Sequence, residues 1–271
     1  MAIELDSVRY RYAGSASAAL GPIELRLEPG RVVGVAGANE SGKTTLCLVT
    51  AGLAPAVIGG KLDGSVRIDG VDAATLRPHE LAQGCGLLFQ HASTQLSHTT
   101  ATVFEEVAFG PCNLGLAVSE VVERVWWALG AVGVEELAPR DPGRLSGGQA
   151  QLVALASVLA LRPKYLILDE PTSELDPAGT GLVADALAKV AAETGAGILL
   201  VEHKTAVLAR IAQEVIVLER GAAALAGPAA TVLADPRLTQ LGVEPPAAVR
   251  LEREVRSSGI EWTAALAEAM G

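Results

Sequence analysis

Residues 37–45, with the sequence GANESGKTT, have the residue types and spacing of a phosphate-binding loop. Gly37 and Gly42 allow backbone N–H groups to turn inward around phosphate oxygens, and a helix after Gly42 would add its positive N-terminal end. Lys43 supplies a point charge for terminal phosphates, and the Thr44 hydroxyl suits a Mg²⁺ ligand. The alternative is a glycine-rich turn with a chance lysine. We predict that ATP is bound by Gly37, Ala38, Asn39, Glu40, Ser41, Gly42, Lys43, Thr44 and Thr45.

Glu40 is unusual within this loop, because a glycine or another small residue is commoner at such a position. Its carboxylate places a negative charge beside a loop that would hold anions. We expect the side chain to point away from the phosphates into solvent.

Polar side chains follow three other apolar runs. Asp169 and Glu170 come directly after YLIL, His203 follows ILLVE, and Gln90 follows LLF. Ligands of open α/β sheets lie outside the carboxyl ends of the strands, so these side chains are expected to meet there. We predict that Glu170 polarises the attacking water, that His203 contacts the γ-phosphate and that Gln90 assists both metal and water. The predicted metal ligands are Thr44, Gln90 and Asp169, the last acting through water.

Each of these residues also has an ordinary structural interpretation. The two acids could be solvated residues that begin a turn, and His203 or Gln90 could be polar residues that end a strand. Tyr12 is a candidate to stack on adenine, and the alternative is a plain strand tyrosine.

Residues 145–149, LSGGQ, predict a second anion site. Ser146, Gly147, Gly148 and Gln149 precede a long apolar helix, so a hydroxyl and free N–H groups would meet at its positive end. One nucleotide does not need two such sites from one subunit. The simplest arrangement is a head-to-tail dimer, in which each LSGGQ caps the ATP that the partner holds.

Composition limits the class of protein. The chain has 271 residues, of which 50% are hydrophobic and only 3% aromatic, so one large domain or two small ones would have an aliphatic core. A formal net charge of -10 argues against a nucleic-acid partner. Three scattered cysteines, Cys47, Cys85 and Cys112, fit a reducing compartment. No secretory signal or bilayer-spanning run is evident.

The elements that must position these residues alternate between strand and helix. Strands are predicted at residues 3–12, 23–27, 31–36, 66–68, 86–89, 164–168, 197–201 and 215–218. Helices are predicted after residue 42 and at 149–161, 178–193 and 205–212, with a helical insert at 102–140. This order predicts βαβ units, a mainly parallel sheet and the α/β class. Two further helices are predicted at 247–257 and 261–270.

With these five motifs in one order, the chain resembles the ATP-binding-cassette (ABC) ATPases. The motifs are GANESGKTT, LLFQ, LSGGQ, LILDEP and VEH, and the resemblance covers residues 3–227. It implies a P-loop NTPase fold with a RecA-like core, an antiparallel β subdomain and a helical subdomain at about residues 91–150. It also implies that ATP closes a dimer and that hydrolysis opens it. Asp176, in SELD, matches a loop that crosses the dimer interface.

Residues 95–116 resemble the corresponding region of energy-coupling factor (ECF) transporter ATPases, with VAFGP and NLGL as close matches. That resemblance implies uptake of a vitamin or transition-metal ion, a second ABC ATPase subunit, a transmembrane coupling subunit and a substrate-binding membrane subunit. It implies a peripheral location at the cytoplasmic face of the cell membrane. A docking face for the membrane subunit is predicted at Val103, Phe104, Val107 and Phe109, with a helix packed only on its own domain as the alternative.

The resulting prediction is an ATP-binding domain at 1–227 and a C-terminal extension at 228–271 that helps to join two ATPases. Ala150 and Leu152 stand where basic residues are usual, Ser93 and Thr94 replace acids, and Glu174 replaces a small residue. These departures favour pairing with a different ATPase, with unequal sites. The other hypotheses are a soluble ABC ATPase of translation or DNA repair, the ATPase of another ABC importer class, and a subunit without ATPase activity.

Overall fold

A computed structural model describes residues 1–91 and 94–257. Its centre is a six-stranded sheet with the order β10-β9-β3-β8-β7-β6. The strands are β3 (Val32–Gly37), β6 (Cys85–Leu88), β7 (Tyr165–Asp169), β8 (Gly197–Val201), β9 (Glu214–Glu219) and β10 (Ala222–Pro228). All neighbours pair in parallel except β9 and β10. The predicted α/β class with a mainly parallel sheet is confirmed.

A smaller antiparallel sheet has the order β2-β1-β4-β5. It is formed by β1 (Ile3–Arg11), β2 (Leu20–Leu27), β4 (Lys61–Ile68) and β5 (Val71–Asp72). Helices α1 (Lys43–Thr50) and α2 (Pro78–Gly84) belong to this side of the molecule. Their apolar residues share one core with alternate residues of the main sheet, such as Val35, Ile167 and Leu199. The opposite alternation, such as Leu166 and Leu200, faces a second core.

Helices cover that second face of the main sheet. They are α3 (Val103–Asn113), α4 (Val118–Ala131), α5 (Gly147–Ala160), α6 (Pro177–Thr194) and α7 (Thr205–Ile211). Helix α5 is buried on most faces, as its apolar sequence predicts. The helical insert is confirmed as α3 and α4, which pack on α5 through residues such as Val107 and Val125. This packing places the LSGGQ motif, at the beginning of α5, beside the insert.

The C-terminal part contains α8 (Ala229–Leu233), a 3₁₀ turn (Pro236–Thr239) and α9 (Ala247–Ser257). Leu233, Leu238 and Val243 belong to the second core. The predicted helix at 247–257 is confirmed, whereas the one at 261–270 lies outside the described residues, as does Ser93. Residues 228–243 therefore pack on the ATP-binding domain, and the domain boundary at 227 stays a prediction.

The predicted docking face on α3 is wrong in part. Val103 and Val107 are fully buried in the second core. Phe104 is only partly buried, and Phe109 is 48% exposed. Helical periodicity identifies an apolar stripe but does not decide whether the stripe faces the core or a partner. The exposed apolar residues of this region are Phe109, Leu114, Val118, Val122 and Trp126.

Of the two adjacent tryptophans, Trp126 is exposed to solvent and Trp127 packs on the second core. Trp126 is 46% exposed, and its ring centroid lies 5.5 Å from that of Phe104. Trp127 packs on the core and carries the Arg162 guanidinium 5.2 Å from its ring centroid. Among the described residues, no helix is both long and apolar enough to cross a bilayer.

Candidate functional site

The predicted site residues converge because four neighbouring strands, β3, β8, β7 and β6, are parallel. Their carboxyl ends therefore lie at one edge of the sheet. The phosphate-binding loop follows β3, and Gln90 follows β6 by two residues. Asp169 ends β7, and His203 follows β8 by two residues. Residues as distant in sequence as Lys43 and His203 thus both approach the Glu170 carboxylate.

The loop between β3 and α1 depends on its glycines. Gly42 has φ +103°, and a Cβ at that position would lie 2.8 Å from the Ala19 carbonyl oxygen. Gly42 therefore has neither the backbone conformation nor the space for a side chain. Helix α1 begins at the next residue, Lys43, so its first N–H groups point into the loop as the sequence predicts.

Lys43 lies at the centre of this loop and is 6% exposed. Its Nζ donates hydrogen bonds of 3.0 Å to the carbonyl oxygens of Gly37 and Ala38. Burial lowers the pKa of the ammonium, while the nearby Glu170 and Asp169 carboxylates act in the opposite direction. The loop therefore holds a cation that an anionic ligand can recruit.

A cleft of about 720 Å³ opens above the loop. Its walls include six predicted loop residues, Asn39, Glu40, Gly42, Lys43, Thr44 and Thr45, together with Gln90 and Glu170. Ser17, Ala18, Ala19 and Arg220 also line it, and sequence reasoning missed all four. The Gly221 N–H donates to the Ser41 carbonyl oxygen, which brings the β9–β10 turn and Arg220 to the loop. No local pattern indicates that long-range contact.

Glu170 contacts the other two residues predicted to be catalytic, Gln90 and His203. Its Oε2 accepts a 3.0 Å hydrogen bond from Gln90 Nε2, and its Oε1 lies 2.9 Å from His203 Nε2. Lys43 Nζ is 4.0 Å from the same Oε1. The Glu170 side chain is 11% exposed, and its φ of +52° is rare for a residue with a side chain. Such strain persists only where the surroundings impose it, and it concentrates at functional sites.

Asp169 lies behind Glu170 and is 1% exposed. Neither carboxylate oxygen has a hydrogen-bond partner of regular geometry among the described residues. Burial raises the pKa of this carboxyl, and the neighbouring Thr44 hydroxyl acts in the opposite direction. A buried carboxylate with free lone pairs next to a hydroxyl fits a small divalent cation that prefers oxygen ligands. No cluster of three His, Cys, Asp or Glu side chains that could hold a metal ion occurs in the described residues.

Glu40 has φ +62°, and its side chain is exposed. The exposure to solvent agrees with the expectation from sequence, but Glu40 also lines the cleft, so a direction away from the phosphates stays a prediction. The left-handed backbone explains why glycine is commoner there. Tyr12 stands apart from the residues that line the cleft. Its hydroxyl lies 3.0 Å from Thr45 Oγ1, and its ring makes an edge contact with Tyr10. The Tyr12 ring is therefore next to the loop, and adenine stacking stays a prediction.

The LSGGQ turn does not join the cleft of its own chain. Ser146 caps α5: its Oγ accepts from Gln149 N–H at 3.3 Å, and Gln149 Oε1 accepts from Ser146 N–H at 3.1 Å. Ser146 and Gly147 are exposed, and neither lines the cleft. The N–H groups of Gly147 and Gly148 stay available at the positive end of α5. The LSGGQ turn is thus separate from the cleft of its own chain, and its role as a second anion site stays a prediction.

Comparisons with known proteins identify the family of the chain. A model of the ABC transporter family matches residues 20–173. A Pyrococcus horikoshii protein, named as an ABC transporter ATP-binding protein, is 37% identical over 265 residues, which are 97% of this chain and 93% of that protein. An energy-coupling factor transporter ATP-binding protein of Caldanaerobacter subterraneus is 37% identical over 267 residues, with 96% and 91% covered.

Two solved structures are similar throughout their length. The cbiO1 protein of Clostridium perfringens, part of the ABC transporter complex cbiONQ, has a TM-score of 0.77 and 29% identity, with 95% of this chain and 98% of that chain covered. The cassette MJ0796, a dimer bound to ADP and Pi, has a TM-score of 0.74 and 26% identity, with 84% and 98% covered. The chain therefore belongs to the ABC transporter family, as an ATP-binding subunit that hydrolyses ATP.

Proposed function

We propose that this chain is the ATPase of an ECF-type importer, which hydrolyses ATP between two facing cassettes to drive uptake of a vitamin or transition-metal ion. The observation that carries the hydrolytic part is the Glu170 carboxylate, which borders the nucleotide cleft and is contacted by Gln90 and His203. The importer assignment is supported by the similarity to an energy-coupling factor ATPase and to cbiO1.

Each side chain then has a distinct task in hydrolysis. Lys43 exchanges its bonds to loop carbonyls for contacts with the terminal phosphates of ATP. Glu170 accepts a proton from the attacking water, which Gln90 orients. His203 donates a hydrogen bond to the γ-phosphate, and Tyr12 stacks on the adenine. Mg²⁺, held by Thr44, by Gln90 and, through water, by Asp169, would neutralise charge on the phosphates.

The second anion site completes the nucleotide site of a partner. Ser146, Gly147, Gly148 and Gln149 would contact the γ-phosphate of ATP held by the facing subunit. The dimeric state of the related cassette bound to ADP and Pi supports this arrangement. Asp176, which caps α6 by accepting from Gly179 N–H at 2.7 Å, lies in the segment that would cross the interface.

Membrane partners would dock on the exposed apolar side of the helical insert, which contains Phe109, Val118, Val122 and Trp126. The partners are a second ABC ATPase subunit, a transmembrane coupling subunit and a substrate-binding membrane subunit, with no nucleic acid. The ATPase would then lie on the cytoplasmic face of the cell membrane. Val118, Val122 and Trp126 follow one another at a spacing of four residues on α4 and so share one helix face, and an exposed apolar face commonly marks a protein interface.

Purification from gently solubilised membranes tests the importer assignment. We expect integral membrane proteins to co-purify with the wild-type chain, and to be lost from the double variant Val118→Ser/Trp126→Ser, because the change removes apolar contact area. The matched control, Val71→Ser, changes an apolar residue that is 47% exposed on the other sheet. Recovery of ribosomes or DNA without a membrane protein would instead establish the soluble ABC ATPase.

Glu170→Gln tests the hydrolytic step. The amide keeps the size of the side chain but cannot accept a proton, so turnover should fall by about a hundredfold or more while ATP still drives dimer formation. Steady-state phosphate release and light scattering measure the two effects. Wild-type turnover in this variant would remove Glu170 from the mechanism.

Ser146→Arg tests capping in trans. The bulky cation should leave ATP binding to the isolated subunit within about twofold, since Ser146 is outside its own cleft, but stop hydrolysis. Mixing these subunits with Lys43→Ala subunits should restore activity, because each mixed dimer regains one intact composite site. Equal inactivity of the mixture, or lost ATP binding in the single variant, would contradict capping in trans.

Glu40→Gly tests the charge beside the phosphates. We expect about two- to fivefold tighter ATP binding at low salt, through loss of a nearby negative charge. A gain of about 1 kcal/mol in unfolding free energy should follow from relief of the left-handed backbone. Calorimetric titration and chemical denaturation measure these quantities. Glu40→Gln should reproduce only the gain in affinity; unchanged affinity in both variants would show that the carboxylate does not influence the bound phosphates.

A further inference from the structure

Lys204, which follows the catalytic candidate His203, uses all three of its ammonium donors. Its Nζ donates to the Thr172 carbonyl oxygen at 2.8 Å, to the Leu175 carbonyl oxygen at 3.0 Å and to Thr180 Oγ1 at 2.8 Å. An ammonium has three donors and no acceptor, so the side chain is saturated. Residues 173–176, which we call the SELD segment, connect β7 to α6. Of the three acceptors, Thr172 directly precedes this segment, Leu175 belongs to it and Thr180 lies on α6.

The preceding residue, Glu202, is buried and binds Thr172, which directly precedes the SELD segment. Glu202 is 1% exposed, and its Oε1 accepts from Thr172 N–H at 3.1 Å and from Thr172 Oγ1 at 2.7 Å. Residues 202–204 therefore make three successive contacts: Glu202 with Thr172, His203 with Glu170, and Lys204 with Thr172, Leu175 and Thr180. A displacement of His203 would be transmitted to that segment through its two neighbours.

The other side of the SELD segment contacts the beginning of α5. Gly147 lies against the Glu174 carboxylate, the end of an exposed side chain. A Cβ on Gly148 would lie 3.3 Å from both the Glu174 carbonyl oxygen and Leu175 Cδ2. The two glycines of LSGGQ thus lie directly on the segment that Lys204 holds. A continuous series of contacts joins the Glu170 carboxylate to the anion site offered to a partner.

We propose that Lys204 is a positioning residue that fixes the SELD segment, and through it the LSGGQ turn, in the geometry that caps a partner's ATP. This inference rests on capping in trans, as proposed above. Without the ammonium, two carbonyl oxygens lose their charged donor and the segment can move away from Gly147 and Gly148. Lys204 does not line the nucleotide cleft, and its three ammonium donors are used on Thr172, Leu175 and Thr180, so we assign it an indirect role through the segment.

The experiment uses the full-length chain with Glu170→Gln, in which ATP-driven dimers accumulate. Adding Lys204→Met should raise the ATP concentration for half-maximal dimerisation by about tenfold or more, and leave ATP affinity of the monomer within about twofold. Lys204→Arg should recover most of the shift, because a guanidinium can also donate to several carbonyls. Lys189→Met is the matched control: Lys189 lies on α6, is 61% exposed, and has a 3.8 Å ion pair with Glu193. This control should leave both ATP-driven dimerisation and the ATP affinity of the monomer unchanged.

A general structural role would weaken monomer ATP binding and thermal stability together with dimerisation, and that outcome would overturn the proposal. Unchanged dimerisation in Lys204→Met would overturn it as well. Should Lys204→Met not fold, Thr180→Val removes one acceptor and should shift dimerisation in the same direction by a smaller factor. If the Glu170→Gln chain does not dimerise at all, or dimerises equally well with Ser146→Arg, then capping in trans itself is wrong, which is a distinguishable result.

Discussion

Glu170 is held at the edge of the nucleotide cleft by side chains from three separate stretches of chain, Gln90, His203 and Lys43. Its backbone is in the left-handed region, a conformation that these contacts and the Glu170 N–H bond to the Val201 carbonyl oxygen maintain. A buried carboxylate that lacked such partners would be costly. The parallel pairing of β3, β8, β7 and β6 brings these partners together at one edge of the sheet. The order of the strands therefore determines the geometry of the site.

The same edge of the sheet holds opposite charges in close proximity and largely out of water. Burial lowers the pKa of Lys43 and raises that of Asp169, so each group favours a charged ligand over isolation. Lys43 Nζ donates hydrogen bonds to two loop carbonyl oxygens. The Asp169 carboxylate oxygens, in contrast, have no regular hydrogen bond within the described residues. A triphosphate with a divalent cation would satisfy both, which makes nucleotide binding the natural completion of this electrostatic arrangement.

Short-range patterns predicted most of what positions the site. The strands that end at Gly37, Asp169 and Val201, and the helix after LSGGQ, follow from apolar runs bounded by glycine, proline and acids. Other elements lack such a pattern: β10 is rich in alanine and glycine, and β5 has only two residues. Arg220 and Lys204 were missed because the contacts that place them involve residues distant in sequence. Val103 and Val107 were assigned to a partner because an apolar stripe has the same spacing whether it faces a core or an interface.

A crystal structure of the ATP-bound Glu170→Gln protein tests the central claim most directly, namely that two chains share each nucleotide. We predict a closed dimer in which Ser146 and the N–H groups of Gly147 and Gly148 of one subunit lie within hydrogen-bond distance of the γ-phosphate that the partner's loop holds. A closed, ATP-bound assembly in which that turn is remote from every triphosphate would contradict the account.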